Sequence, residues 1–297
     1  MCIAGTSDAV RATAGHEHDA RTEGAGGRSE HGQAGFDRRQ FLKRTALAGA
    51  TAAVAASVPL SIVQAAPRPP RRRFADLTHV FRAGAPVYTF ANPTRETLVT
   101  IEDDGFYAQQ WSFAEHSGTH LDAPGHFVSG NRLADELRPD ELVVPLVVID
   151  ISDRAAEDAD AEVTPADLIA FERSHGRIPR GALVAMYSGW ESRIGSQDEY
   201  RNTGADGLYH FPGFGIEAVE WLLTRRGIAG VGVDTLSLDN GRSQTFAVHY
   251  AVLGADRYGL ENLRNLATIP ARGTTAYVGL IPWEEGSGGP ARVIANW

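Results

Sequence analysis

The stretch "ELVVPLVVIDIS", residues 141–152, sets the fold class. It is a continuous β-branched run without polar alternation. A strand reads this way when both of its faces are buried, as in a sheet covered by helices. The segments after it alternate in the same sense. "TPADLIAFERSHG" (164–176) opens with a Thr-Pro helix start and closes at Gly176. "GALVAMYSGW" (181–190) reads as a second buried strand, and "GIEAVEWLLTRRG" (215–227) as an amphipathic helix ending at Gly227. "IAGVGVDTLS" (228–237) reads as a third buried strand, "ENLRNLA" (261–267) as a short helical turn, and "GTTAYVGLIPW" (273–283) as a late strand. Upstream, "TLVTIEDDGFYAQQWSFAEH" (97–116) predicts a β-hairpin turning at Asp103-Asp104-Gly105. The expectation is an α/β fold: a single domain with a mixed β-sheet and flanking helices over residues 74–297.

The N-terminal region has a different character. Residues 1–35 are rich in Gly, Ala, Ser, Arg and His and have no apolar periodicity, which predicts disorder. Arg38-Arg39 then precede Phe41, Leu42 and Lys43. An apolar run from Thr45 to Val63 follows, ending at Val63-Gln64-Ala65. A charged region, an apolar region and a small-residue cleavage site in this order resemble a twin-arginine (Tat) export signal. Residues 1–65 are therefore expected to be a disordered N-terminus and signal peptide, and 66–73 ("APRPPRRR") a stiff linker. A retained membrane anchor is the alternative. Export predicts the Tat translocase as a partner and a periplasmic or secreted location.

Composition narrows the chemistry. Net charge is −9 and no basic block lies outside the N-terminal region, so no nucleic acid partner is expected. Cys2 is the only cysteine and Lys43 the only lysine. Beyond them, thiolate zinc sites, cysteine catalysis and lysine Schiff bases are excluded. Any metal must sit on nitrogen and oxygen. Glycine-rich nucleotide motifs and a GxSxG elbow are absent from the sequence.

"AEHSGTHLDAPGHFVSG" (114–130) carries the chemistry. His116, His120, Asp122 and His126 fall within eleven residues. The His116/His120 spacing of four suits one helix face, but Gly118, Thr119 and Pro124 oppose a helix. A tight loop after the hairpin is predicted instead, with Gly118 free to take positive φ so that the imidazoles converge. Two imidazoles and a carboxylate form a metal-binding set that leaves positions open for water. His126 is either a further ligand or a general base. Taken by themselves, His249 reads as a hydrogen-bonded histidine and Glu261 as a solvated carboxylate. Asp234 and Asp239 read as buried capping or turn residues, with a place as site-edge carboxylates as the alternative.

His116–Phe127, "HSGTHLDAPGHF", resembles the HxGTHxDxPxHF signature of the cyclase-like metal-dependent hydrolases, which include bacterial kynurenine formamidases and isatin hydrolases. "FADLTHVFRAGAPVY", "YSGW", "FPGFGIEAVEWL", "GVGVDTLSLD" and "VHYAVLGADRYGLENLRNL" resemble further segments of that family, so the resemblance spans about 74–297. It implies the family's swivelling β/β/α fold and one or two divalent ions, Zn2+ slightly ahead of Mn2+. His116, His120 and Asp122 are then first-metal ligands, with Asp122 bridging to a second metal. His249 is implied as a second-metal ligand, Glu261 as a bridging ligand, and His126 as the catalytic proton donor and acceptor. Tyr88 falls where formamidases place a tryptophan against the substrate, which leaves the substrate open. The implied activity is hydrolysis of a small amide (an aryl formamide, lactam or other cyclic amide) by a homodimer or homotetramer. A metal-dependent lyase or cyclase and a non-catalytic exported metal-binding protein are the alternatives. On this reading His116→Ala loses metal, whereas His126→Ala keeps its metal and loses turnover. Metal analysis beside an amide-hydrolysis assay checks both, and a His126→Ala protein altered only in local stability favours the non-catalytic alternative.

Overall fold

The computed structural model describes residues 72–297. The N-terminal region, the twin-arginine signal and all but the last two linker residues lie outside the described residues. In chain order the strands and helices begin with β1 (Phe74–Asp76), β2 (Thr94–Val99), α1 (Ile101–Asp104), β3 (Ala108–Ser112), β4 (His120–Asp122) and β5 (Val143–Asp150). There follow α2 (Ser152–Glu157), β6 (Glu162–Val163), α3 (Pro165–His175), β7 (Leu183–Tyr187), α4 (Gln197–Arg201) and β8 (Gly213–Phe214). The last are α5 (Ile216–Arg225), β9 (Gly230–Val233), α6 (Ala247–Gly254), β10 (Tyr258–Glu261), β11 (Thr274–Leu280) and β12 (Gly288–Asn296).

The principal sheet has eight strands in the order β1-β12-β11-β5-β7-β9-β10-β4. β4 also pairs with β12, so the sheet closes on itself like a barrel. β5, β7, β9 and β10 run parallel, and the remaining pairings are antiparallel. The heart of this run, residues 146–149, is apolar without alternation because both its faces are buried. Val147 and Ile149 meet Val184, Met186 and the apolar sides of α3, α5 and α6. Leu146 and Val148 face the other way, with Leu183, Ala185, Leu260, Ala276 and Val293. Pro145 is tolerated in this strand because β7 begins opposite Leu146, so the first residues of β5 have only β11 beside them.

Local signals place the helices. The Thr164 side chain accepts from the Asp167 amide and Asp167 accepts from the Thr164 amide, a reciprocal cap with Pro165 in the first turn. Gly176 ends α3 at φ 81°.

Three expectations are corrected. The hairpin is real, but its connection is the one-turn helix α1 followed by Gly105 at φ 78°, and its second strand stops at Ser112, well before His116. His120 and Asp122 lie on a strand, not in a loop. Glu261 ends β10 and does not open a helical turn; Asn262 and Asn265 take left-handed φ of 56° and 57°, and the turn comes at Leu266–Thr268.

Closure requires close backbone approach at β4. Asp122 is opposite Gly259 of β10 and Gly288 of β12. A Cβ on Gly288 would strike the Leu121 carbonyl and come within 2.8 Å of His116 Cε1. Backbone cannot yield as a flexible side chain does. Gly288→Ala should therefore cost about 1–3 kcal/mol, the range for overpacking. Gly195→Ala, which meets nothing within 4 Å, should be nearly neutral. Thermal denaturation of the two variants compares them.

Candidate metal centre and active site

The period of a strand builds the site. On β4, Leu121 points into the closed sheet while His120 and Asp122 share the opposite face. The register sets Glu261 of β10 directly across from His120. α6 lies against β10 and brings His249 over the same point. His116 arrives from the preceding loop, where Gly118 takes φ 65° and turns the chain toward β4. His126 comes from the short turn Pro124–His126 that begins at Pro124, just past β4. The structure thus brings together every metal or catalytic residue expected from the sequence.

The distances are those of a cradle. His120 Nε2 is 3.3 Å from Asp122 Oδ1 and 3.3 Å from Glu261 Oε2. His249 Nε2 is 3.1 Å from Glu261 Oε1 and 3.6 Å from Asp122 Oδ2. Ligand atoms set tetrahedrally around one ion at about 2.0–2.2 Å stand about 3.3–3.6 Å apart. Two groups of potential ligand atoms, His116/Asp122/His126 and His120/Asp122/Glu261, each gather within 4.8 Å, and Asp122 belongs to both. That is the arrangement expected of a bridging carboxylate.

Hydrogen-bond bookkeeping tests the fit of a cation. His120 Nδ1–H donates to the Gly118 carbonyl at 2.9 Å. His249 Nδ1–H donates to Asp239 Oδ2 at 2.6 Å. With the outer nitrogen protonated in each ring, the inner Nε2 faces carboxylate oxygens either as a lone pair for a cation or as the seat of a second proton. His120 Nε2 and Asp122 Oδ2 are buried without a hydrogen-bond partner among the described residues. Lone pairs facing carboxylates in a dry site call for positive charge, and an all nitrogen–oxygen donor set suits a divalent metal ion.

The electrostatics agree. Burial lowers the His120 pKa, but Asp122 and Glu261 outweigh it and push the imidazole up to about 10. Burial likewise opposes charge on His249, yet Asp122, Asp239 and Glu261 hold it well above the usual value. Burial raises the Asp122 carboxyl, but His120, His116 and His249 pull it well below the usual carboxylate range. His126 differs: burial lowers it to about 4, so its ring is neutral at pH 7. It stacks on His116 with ring centroids 3.7 Å apart and makes no side-chain hydrogen bond among the described residues.

A cavity of about 320 Å³ opens onto this cluster. Val87, Tyr88, Phe90, Phe127, Leu236 and Phe246 line its apolar side. The Tyr88 ring packs edge-on against Tyr209 and Phe246, at 5.2 Å and 5.8 Å. Burial, then Tyr209, Glu261 and Asp239, push its hydroxyl up to about 12, so it remains a donor. Tyr88 thus lines the same cavity as the cluster.

Sequence reasoning missed the orienting role of Asp239. Besides holding His249 Nδ1, it accepts from the amides of Val248 and His249 at the start of α6. A buried turn carboxylate ten residues before a histidine was the available signal. Asp234, by contrast, has the capping role expected of it: it accepts from Ser188 and from the Trp190 amide, and burial raises it to about 6.

A closed α/β sheet with a buried imidazole–carboxylate cradle on its outer face defines the class. The Cyclase family model, described as "Putative cyclase", matches residues 75–240. The chain belongs to this family. It is 36% identical over 203 residues to the isatin hydrolase of Roseibium aggregatum, covering 65% of this chain and 76% of that protein. It is 28% identical over 195 residues to the kynurenine formamidase of Erythrobacter litoralis, covering 65% and 80%. The structure of isatin hydrolase A from Labrenzia aggregata bound to benzyl benzoate superposes with a TM-score of 0.72 at 35% identity, covering 76% of this chain and 93% of that one.

Carboxylates behind metal-binding histidines typically matter 10–100-fold in metal affinity. Asp239→Asn should weaken metal binding on that scale while leaving the far-ultraviolet circular dichroism unchanged. Competition with a chromophoric chelator measures it.

Proposed function

We propose that the protein is a metal-dependent hydrolase that opens the C–N bond of a small amide, with a lactam fused to an aromatic ring as the favoured substrate class. The observation that carries this reading is the cavity itself, lined both by the imidazole–carboxylate cluster and by the aromatic rings of Tyr88, Phe127 and Phe246. Its volume of about 320 Å³ suits a small bicyclic molecule better than a peptide. The 36% identical isatin hydrolase supports the cyclic amide over the open formamide.

His116, His120, Asp122, His249 and Glu261 hold one or two divalent ions, with Zn2+ and Mn2+ both suited to the donors. Such an ion supplies Lewis-acid polarisation of a carbonyl and lowers the pKa of water. The chain's own residues do the rest. Phe127 stacks on His249 at 4.6 Å and shields the cluster on one side. The aromatic wall sandwiches a planar ring and excludes water around it. The neutral His126 imidazole accepts a proton from water and returns it to the leaving nitrogen, so that oxygen adds to the carbonyl carbon as the C–N bond breaks. Tyr88 offers its hydroxyl as a donor to a substrate oxygen.

We infer export by the twin-arginine route from Arg38-Arg39 and the apolar run behind them, and a homodimer or homotetramer from the family resemblance. Among the described residues no helix is long and apolar enough to cross a membrane.

The experiment is turnover of isatin, N-formylkynurenine and simple lactams followed by mass spectrometry. A product heavier than the substrate by one water supports hydrolysis; a product of unchanged mass indicates cyclase or lyase chemistry. Tyr88→Phe should raise KM for the preferred substrate several-fold with kcat less affected, since it removes one donor worth about 1 kcal/mol. Steady-state kinetics checks this.

A further inference from the structure

His116 differs from the other two cradle histidines in how its outer nitrogen is held. His120 uses a backbone carbonyl and His249 a carboxylate. His116 Nε2 is 2.9 Å from the Ser287 hydroxyl, and that hydroxyl also bonds Glu115 Oε2. A carboxylate only accepts, and a serine hydroxyl has one proton. That proton goes to Glu115, so the serine oxygen accepts from His116 Nε2–H. Nε2 then carries hydrogen, and Nδ1 faces Asp122 Oδ1, 2.6 Å away. A carboxylate only accepts, so a proton on Nδ1 joins the two until a cation takes its place and leaves Nδ1 as a lone pair.

The surroundings support the same polarity. The Ser287 amide donates to Glu115 Oε2 as well, at 3.3 Å. The Ser287 carbonyl accepts from the Ala123 amide at 2.9 Å, which ties this serine to the residue after Asp122. The flanking glycines leave room: a Cβ on Gly286 would lie 3.1 Å from Glu115 Oε1, and one on Gly288 2.8 Å from His116 Cε1. Glu115 forms no ion pair with a cation among the described residues, and its carboxylate is spent on Ser287.

We propose that Glu115 and Ser287 are positioning residues that lock His116 as the Nε2–H tautomer and present Nδ1 as its metal-ligating atom. The proposal rests on the metal-site reading above and adds to it which atom of His116 ligates and what fixes it. Reversing the relay reverses the tautomer: with no acceptor at residue 115, the serine proton turns toward His116 Nε2 and Nδ1 carries the hydrogen.

The test uses the full chain stripped of metal and titrated with Zn2+ against a chromophoric chelator, together with long-range 1H–15N correlation spectra of the 15N-histidine protein loaded with Zn2+. The expectation is that Ser287→Ala and Glu115→Ala bind Zn2+ about 10–100-fold more weakly than the unaltered chain. Ser287→Thr, which keeps the hydroxyl, should recover to within about threefold. The unaltered protein should show hydrogen on His116 Nε2 and a metal-shifted Nδ1. Circular dichroism confirms that each variant is folded, and Ser287→Thr serves where Ser287→Ala does not fold. If Ser287→Ala binds Zn2+ as tightly as the unaltered chain while His116→Ala loses it, the positioning role is overturned and the metal site stands. A spectrum with hydrogen on Nδ1 overturns the role on its own. If His116→Ala also binds unchanged, the metal-site reading falls and the proposal falls with it.

Discussion

The carboxylate of Asp122 is the constraint on which the rest of the structure depends. It is buried at 1% exposure with three imidazoles converging on it. It also sits on the three-residue strand β4 that joins β10 to β12 and closes the sheet. A buried charge with no partner is costly, and a buried polar strand contributes little apolar area. Closing the sheet through such a strand makes sense when the charges on it are balanced by a cation. The folding unit and the functional unit therefore coincide at three residues.

Around that centre the structure uses one device three times. Each imidazole has its outer nitrogen held by a hydrogen-bonding partner (Gly118 carbonyl, Asp239 carboxylate, Ser287 hydroxyl), which aims the inner nitrogen at the carboxylates of the cluster. The holders come from different parts of the chain, so the tautomers are set by the fold as a whole. His126 has no such holder, and burial keeps its ring neutral, which sets it apart from the three held imidazoles.

The sequence made the covered strands legible because burial on both faces leaves an apolar run without alternation, as at 146–149. It made α3 legible through Thr164, Pro165 and Gly176, whose chemistry is local. The cluster at 116–126 was legible because four potential ligands fall in one short stretch. β4 was not: a three-residue strand of histidine, leucine and aspartate has the composition of a loop, and only its pairing with β10 and β12 makes it a strand. Glu261 suffered the same way, ending a strand where local propensity suggested a helical turn. Ser287 acts through hydrogen bonds to residues far off in sequence, and no local pattern marks it; Asp239 acts across a turn, and only its spacing from His249 hints at it. Phe246, left-handed at φ 50° at the start of α6, likewise owes its place in the cavity wall to tertiary packing.

The central claim is that a divalent ion held by this cradle drives amide hydrolysis. The most direct measurement is turnover of a fused lactam such as isatin by the purified protein before chelation, after exhaustive chelation and dialysis, and after adding back Zn2+ or Mn2+ in turn, with bound metal quantified at each step. The account predicts that activity disappears with the metal and returns with one of the two ions at one or two equivalents per chain. Full activity in a protein shown to be free of metal would contradict it.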